Sequence, residues 1–194
     1  MVDCLSVSNG NSGIYFQGVT LRNCLIAYNY SATLGAGIFI KFAAGVSGLV
    51  QNCTIVSNRT SGSSAGIGGN NTGDTGACIV VNTICYSNFS GAFHRNCSYA
   101  SARETVFTNC NIYTNVTDHL QGNNFLTNMP TFVDFSAGNY RLSRSSPCIN
   151  AGIQQGWMVG ALDLDRHARL DRYSGIVDIG CYEAAPSGTL FDTR

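Results

Sequence analysis

Charge is scarce in this chain. Only 11% of its 194 residues are Asp, Glu, Lys or Arg, the formal net charge is zero, and Lys41 is the single lysine. A nucleic-acid binder needs a basic face or stripe, so that class of partner is excluded. No run approaches the 18 apolar residues of a membrane-spanning helix, so no membrane span is expected. Glutamate occurs only at Glu104 and Glu183, and alanine-rich amphipathic stretches are missing, so helix is a poor reading for most of the chain. Prolines number three against 22 glycines, with abundant Asn, Ser and Thr: a protein full of turns. Low charge with many uncharged polar residues suits a secreted or cell-surface all-β protein. Met1 leads straight into VDCLSVSN, without the basic and apolar regions of a signal peptide. Either export information has been removed, or the chain is a piece of something longer.

What is present is a repeat. Five related phrases recur: DCLSVSN (3–9), NCLIAYN (23–29), NCTIVSN (52–58), NTICYSN (82–88) and NCNIYTN (109–115). Their uneven spacing fits a β-solenoid, whose turns accept insertions. Within the copies, Cys4, Cys24, Cys53, Thr83 and Cys110 fall in one column, and Ser6, Ile26, Ile55, Cys85 and Ile112 in another. Side chains alternate along a strand, so both columns share one face, and their small or apolar character places that face inside. Between copies come a Gly-Ile or similar step, at GIYF (13–16), GIFI (37–40) and either GIG (66–68) or ACIV (77–80), and a third apolar stretch, as in VTLRN (19–23) and GLVQN (48–52). Three short strands per coil of 20–30 residues describe a parallel β-helix.

Asparagine tolerates the left-handed backbone region and bonds neighbouring peptide groups, which suits sharp turns. Asn23, Asn52, Asn82 and Asn109, headed by Asp3, are expected to form one ladder. Asn9, Asn29, Asn58, Asn88 and Asn115 are expected to form the other. Asn29, Asn52, Asn58, Asn70, Asn88, Asn96 and Asn115 also begin glycosylation sequons, most of which are expected from the composition alone.

Nine cysteines invite a disulfide framework. Residues one coil apart stand about 4.8 Å apart, wider than the Cβ separation a disulfide wants, so the column cysteines are expected to be reduced core residues. Any disulfide should come from Cys78, Cys97, Cys148 and Cys181, with the pairing left open. No CxxC occurs, and His94, His119 and His167 follow no zinc-ligand spacing.

From about residue 126 the pattern changes. The ordered motifs Pro130-Thr-Phe132-Val133-Asp134, Gly138-Asn-Tyr140-Arg-Leu142, Ser146-Pro147-Cys148-Ile149-Asn150-Ala151-Gly152, Asp163-Leu-Asp165, Arg169 and Val177-Asp178-Ile179-Gly180-Cys181-Tyr182-Glu183 follow one another. This succession resembles the end of bacterial right-handed parallel β-helix proteins with a choice-of-anchor Q domain. The upstream coils resemble the same family and, more loosely, chlamydial polymorphic membrane protein repeats. Three positions depart from the pattern: Arg166 stands where glycine is usual, Asn150 where Asp is, and Cys181 where Ala is. The resemblance implies a secreted or cell-surface protein and does not by itself imply an enzyme.

Candidate sites are few. Up to residue 115 the acids are Asp3, Asp74 and Glu104 alone, too sparse for the carboxylate clusters of glycoside hydrolases or pectate-lyase-like sites. Asp163, Asp165, Arg169, Asp171, Asp178 and Glu183 form the richest polar group. One reading gives Asp163 and Asp165 to Ca²⁺ as oxygen ligands, the only cofactor suggested. The other has Arg169 pair with Asp178 or Glu183 and pin the last segment to the coils. Aromatic and imidazole side chains at turns, among them Tyr30, Tyr86, Phe93 and His94, are candidates for stacking on sugars.

The sequence therefore reads as an all-β chain, a right-handed parallel β-helix over 1–125 with a closing segment over 126–194. Asn52, Asn58, Cys53, Arg169, Asp178 and Glu183 are its structural residues. The expected role is a non-catalytic module for adhesion, scaffolding or binding of polysaccharide or cell-surface glycans. One alternative is a carbohydrate-active enzyme with an incomplete groove. The other is self-association, because the N-terminal coil has an open edge that can pair with missing coils or another chain.

Overall fold

The computed structural model describes residues 1–33, 35–41, 47–62, 64–70, 77–91, 93–94, 96–99, 105–113, 121–171 and 174–184. Among them are strands, turns and a single 3₁₀ turn at Gly156–Met158, with no α-helix. No helix is long and apolar enough to cross a membrane.

The repeated phrases build one parallel sheet, β1 (Leu5–Val7), β4 (Leu25–Ala27), β8 (Thr54–Val56), β12 (Ile84–Tyr86) and β17 (Asn111–Ile112), in that order. Its register aligns Ser6, Ile26, Ile55, Cys85 and Ile112 as direct neighbours, the column expected from the sequence. The Gly-Ile steps build a second sheet from β2 (Ile14–Phe16), β6 (Ile38–Lys41), β10 (Ile67–Asn70) and β15 (Cys97–Tyr99). GIG therefore takes the Gly-Ile position in the third copy. ACIV instead opens β11 (Ala77–Val81) in a third sheet, with β3 (Thr20–Arg22), β7 (Ser47–Gln51), β16 (Thr105–Thr108) and β18 (Gln121–Asn123).

Three strands per pass is one too few. Immediately after the closing asparagines run two-residue strands, β5 (Tyr30–Ser31), β9 (Arg59–Thr60) and β13 (Phe89–Ser90), which pair in parallel. β14 (Phe93–His94) joins them antiparallel. The chain thus passes repeatedly through the same succession of sheets. Facing columns of Ile14, Ile38 and Ile67, of Leu21, Val50, Val80 and Phe107, and of Ile26, Ile55, Cys85 and Ile112 meet in one buried core. Cys24, Cys53 and Cys110 are fully buried in it, with Cys4 packed against its edge. At the outer edge of its sheet, β1 leaves Leu5 and Val7 exposed.

After Leu126 the chain changes character. β19 (Phe132–Asp134) and β20 (Asn139–Leu142) form an antiparallel pair, and the residues beyond them follow turns rather than long strands. This segment lies on the outer face of the first sheet. Leu25, Ala27 and Val56 pack with Tyr140, Cys181 and Tyr182, while Ile84 packs with Leu142, Cys148 and Ile179. Strands β4, β8 and β12 of this sheet are therefore covered on both faces, whereas β1 is not.

Candidate functional site

The two asparagine columns behave differently. Asp3, Asn23, Asn52, Asn82 and Asn109 all adopt left-handed backbone, with φ between 49 and 53°, as expected of sharp turns. Beside the closing asparagines it is the preceding residue that turns left-handed: Ser8, Tyr28, Ser57 and Ser87, with φ of 54–59°. The closing asparagine is thereby freed to point inward. Each Nδ2 donates to the next Oδ1: Asn9 to Asn29 at 2.8 Å, Asn29 to Asn58 at 2.9 Å, Asn58 to Asn88 at 2.8 Å, and Asn88 to Asn96 at 2.8 Å. The same Oδ1 atoms accept the backbone N–H of the preceding rung. Asn96 supplies the rung after Asn88, where the sequence spacing suggests Asn115, which lies outside the described residues. Buried in this ladder, Asn29, Asn58, Asn88 and Asn96 are closed to glycosylation in the folded chain.

The ladder also explains the Gly-Ile step. A Cβ at Gly13, Gly37 or Gly66 would stand 2.5, 3.0 and 3.0 Å from the Nδ2 of Asn29, Asn58 and Asn88. It would also stand 2.9, 2.6 and 2.2 Å from the backbone oxygens of Gly37, Gly66 and Asn96 on the next coil, so amide and backbone together require glycine there.

Because side chains alternate, the residue after each inward asparagine faces out. Tyr30, Arg59 and Phe89 are therefore direct neighbours in one outward row, held by Tyr30 N–H to Asn9 O at 3.0 Å, Arg59 N–H to Asn29 O at 2.8 Å, and Phe89 N–H to Asn58 O at 2.9 Å. Tyr30 is 48% exposed, Arg59 is exposed, and the Arg59 guanidinium carbon sits 5.6 Å over the centre of the Phe89 ring. Ser31 and Thr60, one residue on, turn inward and are buried. On the second sheet Tyr15 and Phe39 stack at 5.4 Å, with Tyr15 63% exposed.

The sugar-stacking candidates from the sequence are thus divided. Tyr30 is in the outward row, and His94 is the backbone partner of Phe89 in the same sheet. The side chains of Phe93 and His94 lie outside the described part of the structure. Tyr86 is elsewhere, on the first sheet beneath the C-terminal segment. Its ring lies 5.5 Å from Tyr113, 6.0 Å from Phe132 and 5.4 Å from Phe135, and burial raises its phenol pKa. Tyr86 is a packing residue. Arg59 escaped the sequence reading, although its place directly after a closing asparagine gives its outward direction.

The C-terminal polar cluster closes on itself. Asp163, Arg169 and Asp178 are buried. Arg169 Nη1 donates to Glu183 Oε1 and Nη2 to the Gly180 carbonyl. Asp163 accepts the backbone N–H groups of Asp165 at 2.9 Å, His167 at 2.7 Å and Glu183 at 2.7 Å. Asp178 accepts those of Asn150 at 2.7 Å and Ala184 at 2.6 Å. Asp165 is held instead by Arg141, whose Nη2 stands 2.6 Å from Oδ1. Burial pushes Glu183 up to about 8, and burial also raises Asp178.

Asp163 and Asp165 are therefore engaged separately, by backbone donors and by an arginine, rather than converging on a shared cation. Among the described residues no three His, Cys, Asp or Glu side chains are grouped so as to hold a metal ion. The partner of Arg169 is Glu183, of the two carboxylates expected. Arg166, at the departure from glycine, takes φ of 72° in the turn closed by its N–H to Asp163 O at 3.1 Å. The departure leaves the turn in place and puts a side chain in strained backbone.

The other asparagine column holds this segment down. Asn23 Nδ2 donates to Leu162 O at 2.7 Å, Asn52 to Asp178 O at 3.2 Å, Asn82 to Ile153 O at 2.8 Å, and Asn109 to Ala151 O at 3.4 Å. Some rungs also bond along the column, Asn23 to Asp3 Oδ1 at 3.0 Å and Asn82 to Asn52 Oδ1 at 3.3 Å. This column is chiefly a docking strip.

None of Cys4, Cys24, Cys53, Cys78, Cys85, Cys110, Cys148 and Cys181 forms a disulfide. Cys78 and Cys148, two of the disulfide candidates, are therefore unbridged core residues, as is Cys181; the Cys97 side chain lies outside the described residues. Burial pushes the Cys78, Cys148 and Cys181 thiols up to about 12, away from the reactive thiolate.

Chemically, the buried acids are committed to structure, whereas Tyr30 and Arg59 of the outward row are exposed to solvent. Comparison with family models, with curated proteins and with solved structures finds no match to this chain.

Proposed function

We propose that the chain is a right-handed parallel β-helix, with three main strands and a short fourth in each coil, closed by a C-terminal segment of the choice-of-anchor Q kind. Its role is non-catalytic: a secreted or cell-surface module that binds glycans on its outer surface. The observation that carries this reading is the outward row of Tyr30, Arg59 and Phe89, repeated at the rung spacing of about 4.8 Å. Aromatic faces along a rigid scaffold suit successive sugar rings, whose C–H faces stack on them, and sites on rigid strands keep their geometry. The family assignment is supported by the place of its motif residues, since Asp163, Arg169, Asp178 and Glu183 together lock the C-terminal segment.

A polysaccharide array, run in parallel with a lyase assay reading the absorbance of unsaturated products, tests this. Binding without turnover is expected, with Tyr30→Ala weakening it severalfold. Product formation, or no glycan retained by the array, overturns it.

A further inference from the structure

We infer that Asn9–Gly10 is a modification site: the Asn9 amide is lost spontaneously to attack by the Gly10 nitrogen, and its loss unfastens the first coil from the asparagine ladder.

One ladder asparagine is unlike its neighbours. Asn29, Asn58 and Asn88 are buried, and each Oδ1 accepts two hydrogen bonds, from the amide and the backbone N–H of the preceding rung. Asn9 is exposed, and its Oδ1 has no partner among the described residues. The residues that follow differ as well. Tyr30, Arg59 and Phe89 follow the buried rungs, whereas Asn9 opens the only Asn-Gly pair in the sequence.

Gly10 is glycine without a structural need for it. A Cβ there would meet nothing within 4 Å, and its backbone is not left-handed, in contrast with the crowded Gly13, Gly37 and Gly66. Its N–H has no acceptor among the described residues. The missing side chain leaves a bare, unengaged backbone nitrogen next to the Asn9 amide.

The chemistry needs only water. The Gly10 nitrogen, after losing its proton, bonds to Asn9 Cγ and closes a succinimide ring. The Cγ–Nδ2 bond breaks, and Nδ2 leaves as ammonia with the proton that Gly10 gave up. Water then opens the ring at either carbonyl. Opening at Cγ leaves aspartate at position 9. Opening at the main-chain carbonyl leaves isoaspartate, in which the chain runs through Cβ and Cγ.

Neither product can hold the rung. Asn9 Nδ2 donates to Asn29 Oδ1 at 2.8 Å and to Ser6 Oγ at 3.2 Å. An aspartate carboxylate only accepts, so its oxygen meets Asn29 Oδ1 lone pair to lone pair. Asn29 cannot turn its amide to compensate, because its Nδ2 already donates to Ser6 O and Asn58 Oδ1. In isoaspartate the inward side chain becomes main chain and the rung disappears. β1 lies at the outer edge of its sheet beside β4, so losing the first rung lets this coil fray while the deeper coils stay closed.

The test is incubation of the full chain at pH 6 and pH 8, with peptide mapping by mass spectrometry reading every asparagine. Asn9 is expected to deamidate ahead of all others, faster at pH 8 because the attacking nitrogen must lose its proton, and to give both aspartate and isoaspartate. Gly10→Val, whose side chain has room but crowds the nitrogen, is expected to slow the loss at least tenfold at an unchanged melting temperature. The deamidated chain, separated by ion exchange through the charge it gains, is expected to exchange amide hydrogens at least tenfold faster in β1 and β5, and at the parent rate in β8 and β12. Asn9→Asp supplies the aspartate product directly and is expected to show the same pattern. Deamidation of another asparagine first, or a Gly10→Val rate equal to that of the parent, overturns the site. Unchanged exchange in β1 and β5, in the deamidated chain and in Asn9→Asp alike, overturns its hold on the first coil.

Discussion

The two asparagine columns have the same side chain at nearly the same interval, yet one holds the stack together from inside and the other fastens a separate segment from outside. Backbone conformation makes the difference. Asn23, Asn52, Asn82 and Asn109 occupy the left-handed turn themselves, so their amides project toward Leu162, Asp178, Ile153 and Ala151 of the C-terminal segment. Asn29, Asn58 and Asn88 leave the left-handed position to Tyr28, Ser57 and Ser87, and their amides turn into the core and bond one another. One residue's shift in the turn converts a surface latch into an internal ladder. It also sets which face of the following strand is open, and hence where Tyr30, Arg59 and Phe89 point.

The division can be broken at several points. The largest effect is expected at Arg169, where Arg169→Met leaves Glu183 and Asp178 without their buried cation. Removing one partner of a buried pair costs about 3–5 kcal/mol, and denaturant unfolding monitored by the fluorescence of Trp157 should show the loss. Residues of the ladder should stay ordered in this variant, because their bonds do not involve Arg169. Collapse of the whole stack would mean that the C-terminal segment is integral to it.

Asn58→Ala is next. It deprives Asn29 N–H and Nδ2–H of their acceptor at Asn58 Oδ1, at 3.0 and 2.9 Å, and removes donors from Ile26 O and Asn88 Oδ1. Stranding buried polar groups is expected to cost about 3 kcal/mol. Asn52→Gly keeps the left-handed turn and loses the bond to Asp178 O at 3.2 Å and the bond that Asn52 Oδ1 accepts from Asn82 at 3.3 Å, a loss of about 1–2 kcal/mol, since Asn82 keeps its bond to Ile153 O. Urea midpoints of the two variants compare the columns directly.

A separate effect concerns pH. Burial raises Glu183 from an ordinary value of 4.5 to about 8, and Asp178 moves the same way. Between those limits the folded cluster binds more protons than the unfolded chain, so stability falls as pH rises from about 4.5 toward 8. Melting temperatures at pH 5 and pH 8 should differ in that sense. Glu183→Gln should remove most of the difference, and a melting temperature that climbs toward pH 8 would contradict the assignment.

Much of the stack is legible in the sequence because it depends on local periodicity. The Cys and Ile columns, the left-handed Asn23, Asn52, Asn82 and Asn109, and the Gly-Ile step all follow from alternation, turn chemistry and steric room. Docking of the C-terminal segment is harder to see, since it joins residues more than a hundred positions apart, such as Asn52 with Asp178. A trace of it was present nonetheless. LIA, TIV and ICY run apolar or nearly so without alternation, which is how strands buried on both faces read. Tyr86 belongs to that buried outer face, and turn position alone misplaces it among surface aromatics. The rung at Asn96 interrupts the even spacing, because β14 turns back antiparallel onto β13 and brings the next ladder amide only eight residues after Asn88. Arg59 is missed for another reason: an arginine in a polar stretch reads as a solvated surface group until the ladder gives it a direction and a ring to rest on.

The most direct test of the division between the columns is amide hydrogen exchange, comparing Asn58→Ala and Asn52→Gly with the parent chain. Asn58→Ala is expected to accelerate exchange across the first two sheets, including β4, β6, β8 and β12. Asn52→Gly is expected to accelerate it only within residues 148–184, with the stacked strands unchanged. Loosening of the ladder strands by Asn52→Gly, or an effect of Asn58→Ala confined to one turn, would contradict the assignment of the inner column to the stack and the outer column to the C-terminal segment.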